Sequence, residues 1–336
     1  MKKKISIIIP VYNKEHYLRK ILSQISMQNF PEFECILVDD GSTDSSGKIC
    51  DEYSMSDQRF IVLHTQNKGA SHARNLGIDN SSGEYITFID ADDEVYKDYL
   101  KNLYECMISS GADIVIGSIK KIWDNQNEVR IVQYPKGNLV LEKEEVLQSF
   151  AKVQEDTGIF GYCTCKLFKR EKIQDIRFDE SLKLAEDFDF YLKLYNNIIS
   201  FYFDDKPYYY YRQEAENSTV EVADQDVDYF SQLKINVRYR DFLKREKVYT
   251  GENKRIVEEK INNYVYFTMF YCPKENMKER FYALYEFCKE SFVVYGGRSL
   301  LQKVLLKLLK YRRFGAAKKI IFVYRYLRSM RNDNKK

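Results

Sequence analysis

The feature that most constrains the fold is a regular alternation of short apolar runs with amphipathic segments near the N-terminus. Each run has the length and composition of a buried strand. The runs occupy residues 5–9, 33–38, 60–64 and 85–89. Between them, apolar residues recur at helical spacing, as they do from Tyr17 to Ile25. Strands that alternate with helices at this interval form a parallel sheet covered by helices, so the sequence predicts an α/β fold.

Polar loops follow three of these strands directly, at residues 10–13, 39–44 and 90–93. Ligands of parallel sheets bind outside the carboxyl ends of the strands, so we expect the three loops to converge on one binding edge. The glycine-rich fingerprint of dinucleotide enzymes and the P-loop of NTPases are both absent from the sequence. A nucleotide would then be held by side chains, namely an aromatic or proline wall at residues 10–12 and Asp40, whose carboxylate can accept the N3–H of uracil.

Three carboxylates, those of Asp90, Asp92 and Asp93, end the fourth predicted strand. Clustered carboxylates repel one another and are costly to desolvate, so a nearby cation would stabilise them. Magnesium and similar ions often bind one or two carboxylates together with substrate phosphates. The pattern predicts a divalent metal that joins the protein to a diphosphate. The alternative is an acidic turn that only ends the strand and caps a helix beginning near Lys97.

The overall composition argues against several classes of protein. A net charge of +3 on 336 residues does not indicate a nucleic-acid-binding protein. The three histidines and seven cysteines lack metal or disulfide spacing, which favours reduced cytosolic thiols. The basic and apolar N-terminus resembles a signal peptide, but its apolar run is too short and stops at Pro10. No stretch is long enough to span a bilayer, so we expect a cytoplasmic protein.

Four longer segments combine these loops with their flanking elements. They are SIIIPVYNKEHYLRKIL, ILVDDGSTDSS, NKGASHARNLGI and GEYITFIDADD. Their order and spacing resemble the family 2 glycosyltransferases, which have the GT-A fold, over about residues 4–215. The resemblance implies inverting transfer of a sugar from a nucleotide-activated donor, with Mn²⁺ or Mg²⁺ as the cofactor. It also implies a set of donor-contacting residues: Pro10, Val11, Tyr12, Asn13, Asp40, Asp90, Ala91 and Asp92.

The resemblance assigns further roles in the donor half of the chain. Asp90 and Asp92 match the DxD motif, which contacts ribose and metal, and Asp93 follows as a further metal ligand, so the expected metal ligands are Asp92 and Asp93. Arg74 matches the arginine of the third segment and is expected to face the donor. The alternative for Arg74 is that it only pairs with an acidic loop.

In the acceptor half, Glu186 and Asp187 resemble the acidic pair that precedes a helix in the family and supplies its catalytic base. This resemblance gives the role of base to Asp187. Its neighbour Glu186 would either orient the acceptor or raise the pKa of Asp187 by like charge. The alternative is an acidic helix N-terminus that the macrodipole favours. The aromatic run 208–211 ends in Arg212, which is expected to approach the diphosphate. The alternative for this run is a strand that packs against the core.

The predicted domains are a GT-A domain over residues 1–220 and a helical region over residues 221–336. Residues 1–118 would bind the nucleotide-sugar, and residues 119–220 would bind the acceptor. The segment 301–331 is basic and amphipathic, with an apolar stripe at Leu301, Val304, Leu305, Leu308 and Leu309. It would either make peripheral contact with an anionic membrane or pack its apolar face on the protein. A homo-oligomer is also compatible with the sequence.

The leading hypothesis is transfer of a sugar from a UDP-sugar to a hydroxyl of a glycan or lipid-linked acceptor. The setting would be the synthesis of a bacterial cell-surface polysaccharide, such as a capsule, at the cytoplasmic face of the membrane. A second hypothesis is a sugar-phosphate nucleotidyltransferase, but the glycine-rich basic loop of that class is missing near the N-terminus. A third is a non-catalytic sugar-nucleotide-binding or scaffold protein, against which the intact Asp92 and Asp187 argue.

Overall fold

A computed structural model describes residues 3–123, 128–213, 228–272 and 275–333, without the side chains at 123, 128, 212–213 and 328–333. The chain divides into two compact units, Met1–Asp226 and Val227–Lys336. The first unit contains both β-sheets of the described chain, and the described part of the second is helical.

The central sheet of the first unit is built on the four predicted strands. They are β1 (Ile5–Val11), β2 (Phe33–Asp39), β3 (Phe60–His64) and β4 (Tyr85–Phe88). Strand β1 pairs in parallel with β2 and β4, and β2 pairs in parallel with β3. Because the four strands run in one direction, their carboxyl ends lie at the same edge. The α/β class predicted from the sequence is therefore confirmed.

Helices cover this part of the sheet and bury the predicted apolar stripes. They are α1 (Glu15–Ser26), α2 (Ser46–Ser56), α3 (Ala70–Asp79) and α4 (Tyr99–Ser110). Helix α1 buries the residues at the i, i+3, i+4 and i+7 positions that the sequence indicated. Helix α3 approaches β1 closely at Gly77, where any Cβ would collide with the side chain of Ile8. This close packing fixes α3, and with it Arg74, against the central strand.

The remaining strands complete the first sheet and form a second one. They are β5 (Glu94–Val95), β6 (Ile114–Ile116), β7 (Ile119–Trp123), β8 (Glu128–Val132), β9 (Leu139–Glu142), β10 (Lys166–Lys169), β11 (Ser200–Phe203) and β12 (Tyr209–Gln213). The first sheet has the order β3-β2-β1-β4-β10-β6-β11-β9, and the second has the order β5-β12-β7-β8. Strand β10 is antiparallel to both β4 and β6, so the central sheet is mixed beyond β4.

The acceptor half differs from the prediction in one helix. The sequence predicts one helix over residues 141–153, and this prediction is wrong: α5 (Lys143–Gln148) and α6 (Phe150–Thr157) are separate helices. The break falls at Ser149, whose φ of −111° and ψ of 12° lie outside the helical region. The mixed polar composition of residues 123–138 predicts a hairpin or an excursion, and strands β7 and β8 form a hairpin that already begins at Ile119. Helix α7 (Glu186–Leu194) begins at the predicted acidic pair.

The second unit consists of five described helices. They are α8 (Tyr229–Arg245), α9 (Gly251–Phe270), α10 (Met277–Glu290), α11 (Leu300–Lys310) and α12 (Phe314–Asp333). The apolar stripe of α11 is divided, because Leu305 and Leu309 are fully buried whereas Val304 is 36% exposed. Part of the stripe is thus used for packing within this unit. Among the described residues, no helix combines the length and the apolar character needed to cross a membrane.

Candidate functional site

The loops after β1 and β2 are joined by hydrogen bonds, as the topology predicts. The backbone N–H of Asp40 donates to the carbonyl of Val11 at 2.9 Å. The side-chain oxygen of Asn13 accepts from the backbone N–H of Thr43 at 2.8 Å, and the Asn13 N–H donates to Ser42 Oγ at 3.1 Å. Asn13 adopts the left-handed conformation, with a φ of 50°, which asparagine tolerates better than most residues.

Two predicted donor contacts differ sharply in their exposure. Tyr12 presents an open aromatic ring, 44% exposed, beyond the end of β1. Asp40 is only 2% exposed, and its carboxylate accepts the backbone N–H groups of Lys68 at 3.0 Å and Gly69 at 2.7 Å. Gly69 has a φ of 96°, a conformation that favours glycine, at the start of α3. Asp40 therefore fixes the loop before α3, and its contact with a base stays a prediction.

Arg74 connects the predicted donor and acceptor motifs. Its side chain is only 6% exposed, and its guanidinium donates to Asp90 Oδ1 at 3.1 Å, Glu186 Oε1 at 3.2 Å and Asp187 Oδ1 at 3.0 Å. We call these four residues the Arg74 cluster. The guanidinium carbon also lies 5.5 Å from the centre of the Phe178 ring. Side chains more than one hundred residues apart in the sequence, Arg74 and Asp187, thus form one charged group.

The backbone before α7 places two acids of the Arg74 cluster at a helix N-terminus. Ala185 adopts the left-handed conformation, with a φ of 58°, and Glu186 and Asp187 begin the helix. This conformation costs a residue with a Cβ about 1–2 kcal/mol. The positive end of the helix dipole favours negative charge here, and Arg74 adds to that effect. The predicted alternative of a dipole-stabilised acidic terminus is therefore compatible with a site rather than opposed to it.

Burial raises the pKa of two carboxyl groups in the Arg74 cluster. The pKa of Asp187 is raised to about 6, because burial outweighs the opposing charge of Arg74, and Glu186 adds like-charge repulsion. The pKa of Asp90 is raised for the same reason, with repulsion from Asp92 and Asp187. A carboxylate with a pKa near 6 can accept a proton readily close to neutral pH. The geometry of Asp187 therefore suits a general base.

The three aspartates of the fourth predicted strand face different surroundings. The Asp92 side chain is 41% exposed, and its Oδ2 lies 2.6 Å from the ammonium of Lys14, which follows the loop after β1. Asp93 is 3% exposed, and its Oδ2 accepts the hydroxyl hydrogen of Tyr209 at 2.5 Å. The described residues contain no group of three or more His, Cys, Asp or Glu side chains arranged to hold a metal. Asp92 is the accessible carboxylate of this turn.

The structure adds residues near Asp187 that the sequence analysis did not identify. Lys166 is 1% exposed, donates to the carbonyl of Tyr162 and lies 4.4 Å from the centre of the Tyr191 ring. Burial lowers the pKa of Lys166 to about 8. The available sequence signal was weak: Lys166 is a single charged residue between Cys163-Thr164-Cys165 and Leu167-Phe168. Its burial is unusual, since lysine is almost never fully buried without a partner. Arg212 lies in β12, opposite Ile122, but its side chain is outside the described part of the chain.

Comparison with known proteins identifies the family. The profile of glycosyl transferase family 2 matches residues 6–177, which is just over half of the 336-residue chain. The chain therefore belongs to the family 2 glycosyltransferases, and the resemblance predicted from its motifs is confirmed.

Curated relatives and solved structures agree with this assignment. The chain is 38% identical over 190 residues to glycosyltransferase GlyA of Streptococcus pneumoniae serotype 4, a match that covers 55% of this chain and 27% of GlyA. It is 35% identical over 193 residues to GlyG of the same organism, covering 56% of this chain and 64% of GlyG. The matches thus span less than two thirds of these relatives' own length.

A solved structure supports the fold. S. aureus TarS 1–349 in complex with UDP-GlcNAc superposes with a TM-score of 0.66, at 22% identity, over 96% of this chain and 92% of that chain. At this level of identity the likeness concerns the fold alone. With the mainly parallel β1–β4 region and the helical C-terminal region, it confirms the predicted GT-A class.

Proposed function

We propose that this chain is an inverting, metal-dependent hexosyl- or hexosaminyltransferase. It would move a sugar from a UDP-sugar to a hydroxyl of a glycan or lipid-linked acceptor during synthesis of a cell-surface polysaccharide. The observation that carries the proposal is the Arg74 cluster, which places Asp187, with a pKa of about 6, beside the donor-side Asp90. Family membership favours sugar transfer over nucleotidyl transfer or simple binding.

The donor class and the biological setting are supported by relatives. TarS has been solved with UDP-GlcNAc, and a curated relative is the poly(ribitol-phosphate) beta-N-acetylglucosaminyltransferase TarS of Staphylococcus aureus, 29% identical over 229 residues. In this chain the nucleotide would lie against the loops after β1 and β2, with the open ring of Tyr12 beside the base. We propose donor contacts for the predicted set: Pro10, Val11, Tyr12, Asn13, Asp40, Arg74, Asp90, Ala91, Asp92 and Arg212.

A divalent ion, Mn²⁺ or Mg²⁺, is part of the proposal. Asp92 would hold it, since its exposed carboxylate already attracts one cation, the ammonium of Lys14. Such ions often take one or two carboxylates and complete their shell with water and phosphate oxygens, so a single accessible ligand fits. The bound ion would neutralise charge on the departing diphosphate. Asp93, also predicted as a ligand, is only 3% exposed and already accepts the hydroxyl hydrogen of Tyr209, so we propose Asp92 as the main ligand.

Replacing Asp92 with alanine should remove the metal dependence of UDP binding while leaving the protein folded. The carboxylate is exposed, so its loss costs little packing, but the ion then has no protein ligand at this turn. Calorimetric titration with UDP, with and without Mg²⁺, measures the effect. Asp79→Ala is the matched control, because the Asp79 side chain is also exposed, 53% against 41% for Asp92, and pairs with Arg177 instead. Metal-dependent affinity that survives in Asp92→Ala would contradict this assignment.

The chemical step requires removal of a proton from the acceptor hydroxyl. Asp187 would take this proton as general base, and the hydroxyl oxygen would attack the anomeric carbon as the bond to UDP breaks. One displacement assisted by one base inverts the configuration at that carbon, as in inverting hydrolases. Glu186, bonded to the same guanidinium, would orient the acceptor beside the base.

The rate of transfer should fall in acid as Asp187 becomes protonated. Burial and Glu186 raise the pKa of Asp187 to about 6, whereas Arg74, the Cys163 thiol and Lys166 oppose the shift. A base acts only when deprotonated, so kcat/KM should fall about tenfold for each pH unit below that pKa and level off above it. Initial rates measured between about pH 5 and 8 would show this acid fall in kcat/KM. A flat profile through pH 6 would exclude a base with this pKa.

We propose that residues 1–220 form the catalytic domain and residues 221–336 a helical region that reaches the inner face of the cell membrane. Lys303, Lys307 and Lys310 are exposed on α11, beside the exposed Val304. An anionic surface attracts each such lysine with about 1 kcal/mol. Because Leu305 and Leu309 are buried, charge rather than the whole apolar stripe would supply most of this contact.

Replacing Lys303, Lys307 and Lys310 together with glutamine should weaken binding to anionic liposomes on the order of 100-fold, since three such contacts are lost. Sedimentation of the full-length chain with vesicles containing phosphatidylglycerol measures it. The matched control replaces three exposed lysines of the first unit, Lys48, Lys101 and Lys152, and should bind like the unmodified chain. If the unmodified chain does not sediment with these vesicles, the result would favour packing as the only role of α11.

The proposed activity is tested by incubating the full-length chain with labelled UDP-sugars and Mg²⁺ or Mn²⁺. We expect one UDP-sugar to release UDP, slowly to water and faster with an acceptor glycan. Release of pyrophosphate from a nucleoside triphosphate and a sugar phosphate would instead show nucleotidyl transfer. Binding of UDP-sugars without any turnover would show a non-catalytic protein.

A further inference from the structure

One face of the second sheet extends outward from the turn that carries Asp90, Asp92 and Asp93. Strands β12 and β7 run in parallel, with Tyr209 opposite Ile119 and Tyr211 opposite Lys121. Side chains two residues apart on a strand share a face, so Tyr209 and Tyr211 point the same way, as do Ile119 and Lys121. The hydroxyl of Tyr209 donates to Asp93 and accepts the backbone N–H of Asp90 at 3.3 Å. The Tyr211–Lys121 pair therefore lies two residues farther along the strands from the turn than the Tyr209–Ile119 pair.

The ammonium of Lys121 lies between two aromatic rings. It is 5.2 Å from the centre of the Tyr211 ring and 4.6 Å from the centre of the Tyr162 ring, which comes from the loop before β10. All three side chains are half-buried. Within the described parts of the chain, no carboxylate oxygen lies within 4.0 Å of this ammonium. Among the described side chains, this partly buried charge is balanced only by the faces of the two rings.

The group formed by Lys121, Tyr162 and Tyr211 extends between the two halves of the candidate site, the turn that carries Asp90, Asp92 and Asp93 and the region of Asp187. On one side, the charges of Asp90, Asp92 and Asp93 act on the hydroxyl of Tyr211, whose pKa burial and these charges raise. On the other side, Tyr162 precedes Cys163, whose thiol acts to lower the pKa of Asp187. An acceptor that presents a hydroxyl to Asp187 would therefore lie along these rings.

We propose that Lys121, Tyr162 and Tyr211 form an acceptor subsite for a sugar or polyol that carries a phosphate group. The inference rests on the proposed function, because it names the acceptor class of that site. Ring faces of tyrosine contact the C–H groups of a sugar or polyol. A partly buried ammonium that has no carboxylate partner among the described residues attracts an anion. A neutral glycan would leave that ammonium without a counter-charge, at a cost in binding free energy.

The Lys121 ammonium could instead contact the diphosphate of the donor. One experiment distinguishes a phosphate of the acceptor from the donor diphosphate. The full-length chain is first saturated with UDP and Mg²⁺, which fills the donor site, and this titration by itself tests donor binding. Glucose 1-phosphate and methyl glucoside are then titrated into the complex by calorimetry. The two probes share a sugar ring and differ in the phosphate.

We expect glucose 1-phosphate to bind the UDP-saturated chain about tenfold more tightly than methyl glucoside, as one modest charge-assisted contact provides. Lys121→Met should remove this difference, and Lys121→Arg should keep most of it. Lys120→Met is the matched control and should behave like the unmodified chain, because Lys120 pairs with Tyr210 on the opposite face, 5.3 Å from its ring centre.

Three results would overturn the inference. Equal affinity for the two probes would show that the site has no preference for phosphate. An unchanged preference in Lys121→Met would show that a residue other than Lys121 binds the phosphate. Loss of glucose 1-phosphate binding on saturation with UDP would assign the ammonium to the donor diphosphate. A chain that does not bind UDP at all would instead overturn the proposed function, so the two failures are distinguishable.

Discussion

Replacing Asp187 with asparagine should reduce sugar transfer by about 10² to 10⁴-fold, the range expected for loss of a general base. The amide is nearly isosteric with the carboxylate and can still accept a hydrogen bond from Arg74 through its oxygen. It cannot take a proton from the acceptor hydroxyl. UDP binding should remain at the level of the unmodified chain, because the substitution leaves the loops after β1, β2 and β4 in place. Single-turnover rates and calorimetric UDP titrations measure the two effects separately.

The matched variant for this experiment is Glu186→Gln. It removes an equal charge from the Arg74 cluster, from the neighbouring residue at the start of α7. We expect a smaller loss of transfer than in Asp187→Asn, because the base is retained while the acceptor is held less firmly. If Glu186→Gln loses as much and Asp187→Asn loses little, the proton acceptor is Glu186.

Replacing Arg74 with methionine should lower the free energy of unfolding by about 3–5 kcal/mol at neutral pH, the usual cost of breaking a buried ion pair. The variant leaves the carboxylates of Asp90, Glu186 and Asp187 without their shared cation. The pKa values of Asp90 and Asp187 are already raised by burial, and loss of Arg74 should raise them further. Protonation then relieves the repulsion at a higher pH than in the unmodified chain, so the destabilisation should shrink as the pH falls towards about 6.

Denaturant unfolding of Arg74→Met at two pH values measures this prediction. Arg19→Met is the control, since Arg19 pairs with Glu52 and both side chains are well exposed. An exposed pair of this kind contributes about 0–1 kcal/mol, and its loss should not depend on acid in the same range. A cost for Arg74→Met no larger than that of the control would show that the guanidinium does not hold the Arg74 cluster together.

Much of the donor half could be predicted because its signals are local. Hydrophobic periodicity located β1 to β4 and their helices, and the direction of parallel strands placed three loops at one edge. The DxD and acidic-pair motifs could also be located by their resemblance to the family. The roles of the individual residues in them remain proposals.

The contacts that join these motifs could not be predicted, because they depend on long-range packing. Arg74 reaches Asp187 only because α3 packs tightly on β1 at Gly77 and α7 begins beside it. In the turn after β4, the Asp92 side chain is exposed and Asp93 is buried. The sequence cannot predict this difference, because the two neighbouring residues are identical. The ring contacts of Lys121 likewise depend on a loop distant in the sequence, the one that carries Tyr162.

The central claim is that Asp187 assists a single inverting displacement on a UDP-sugar. The most direct measurement is proton NMR of the first sugar anomer released when the full-length chain acts on UDP-GlcNAc, an α-linked donor, with Mg²⁺. We expect the β-anomer to appear first and Asp187→Asn to release UDP at least about 100-fold more slowly. First appearance of the α-anomer, or equal release of UDP by Asp187→Asn, would contradict it.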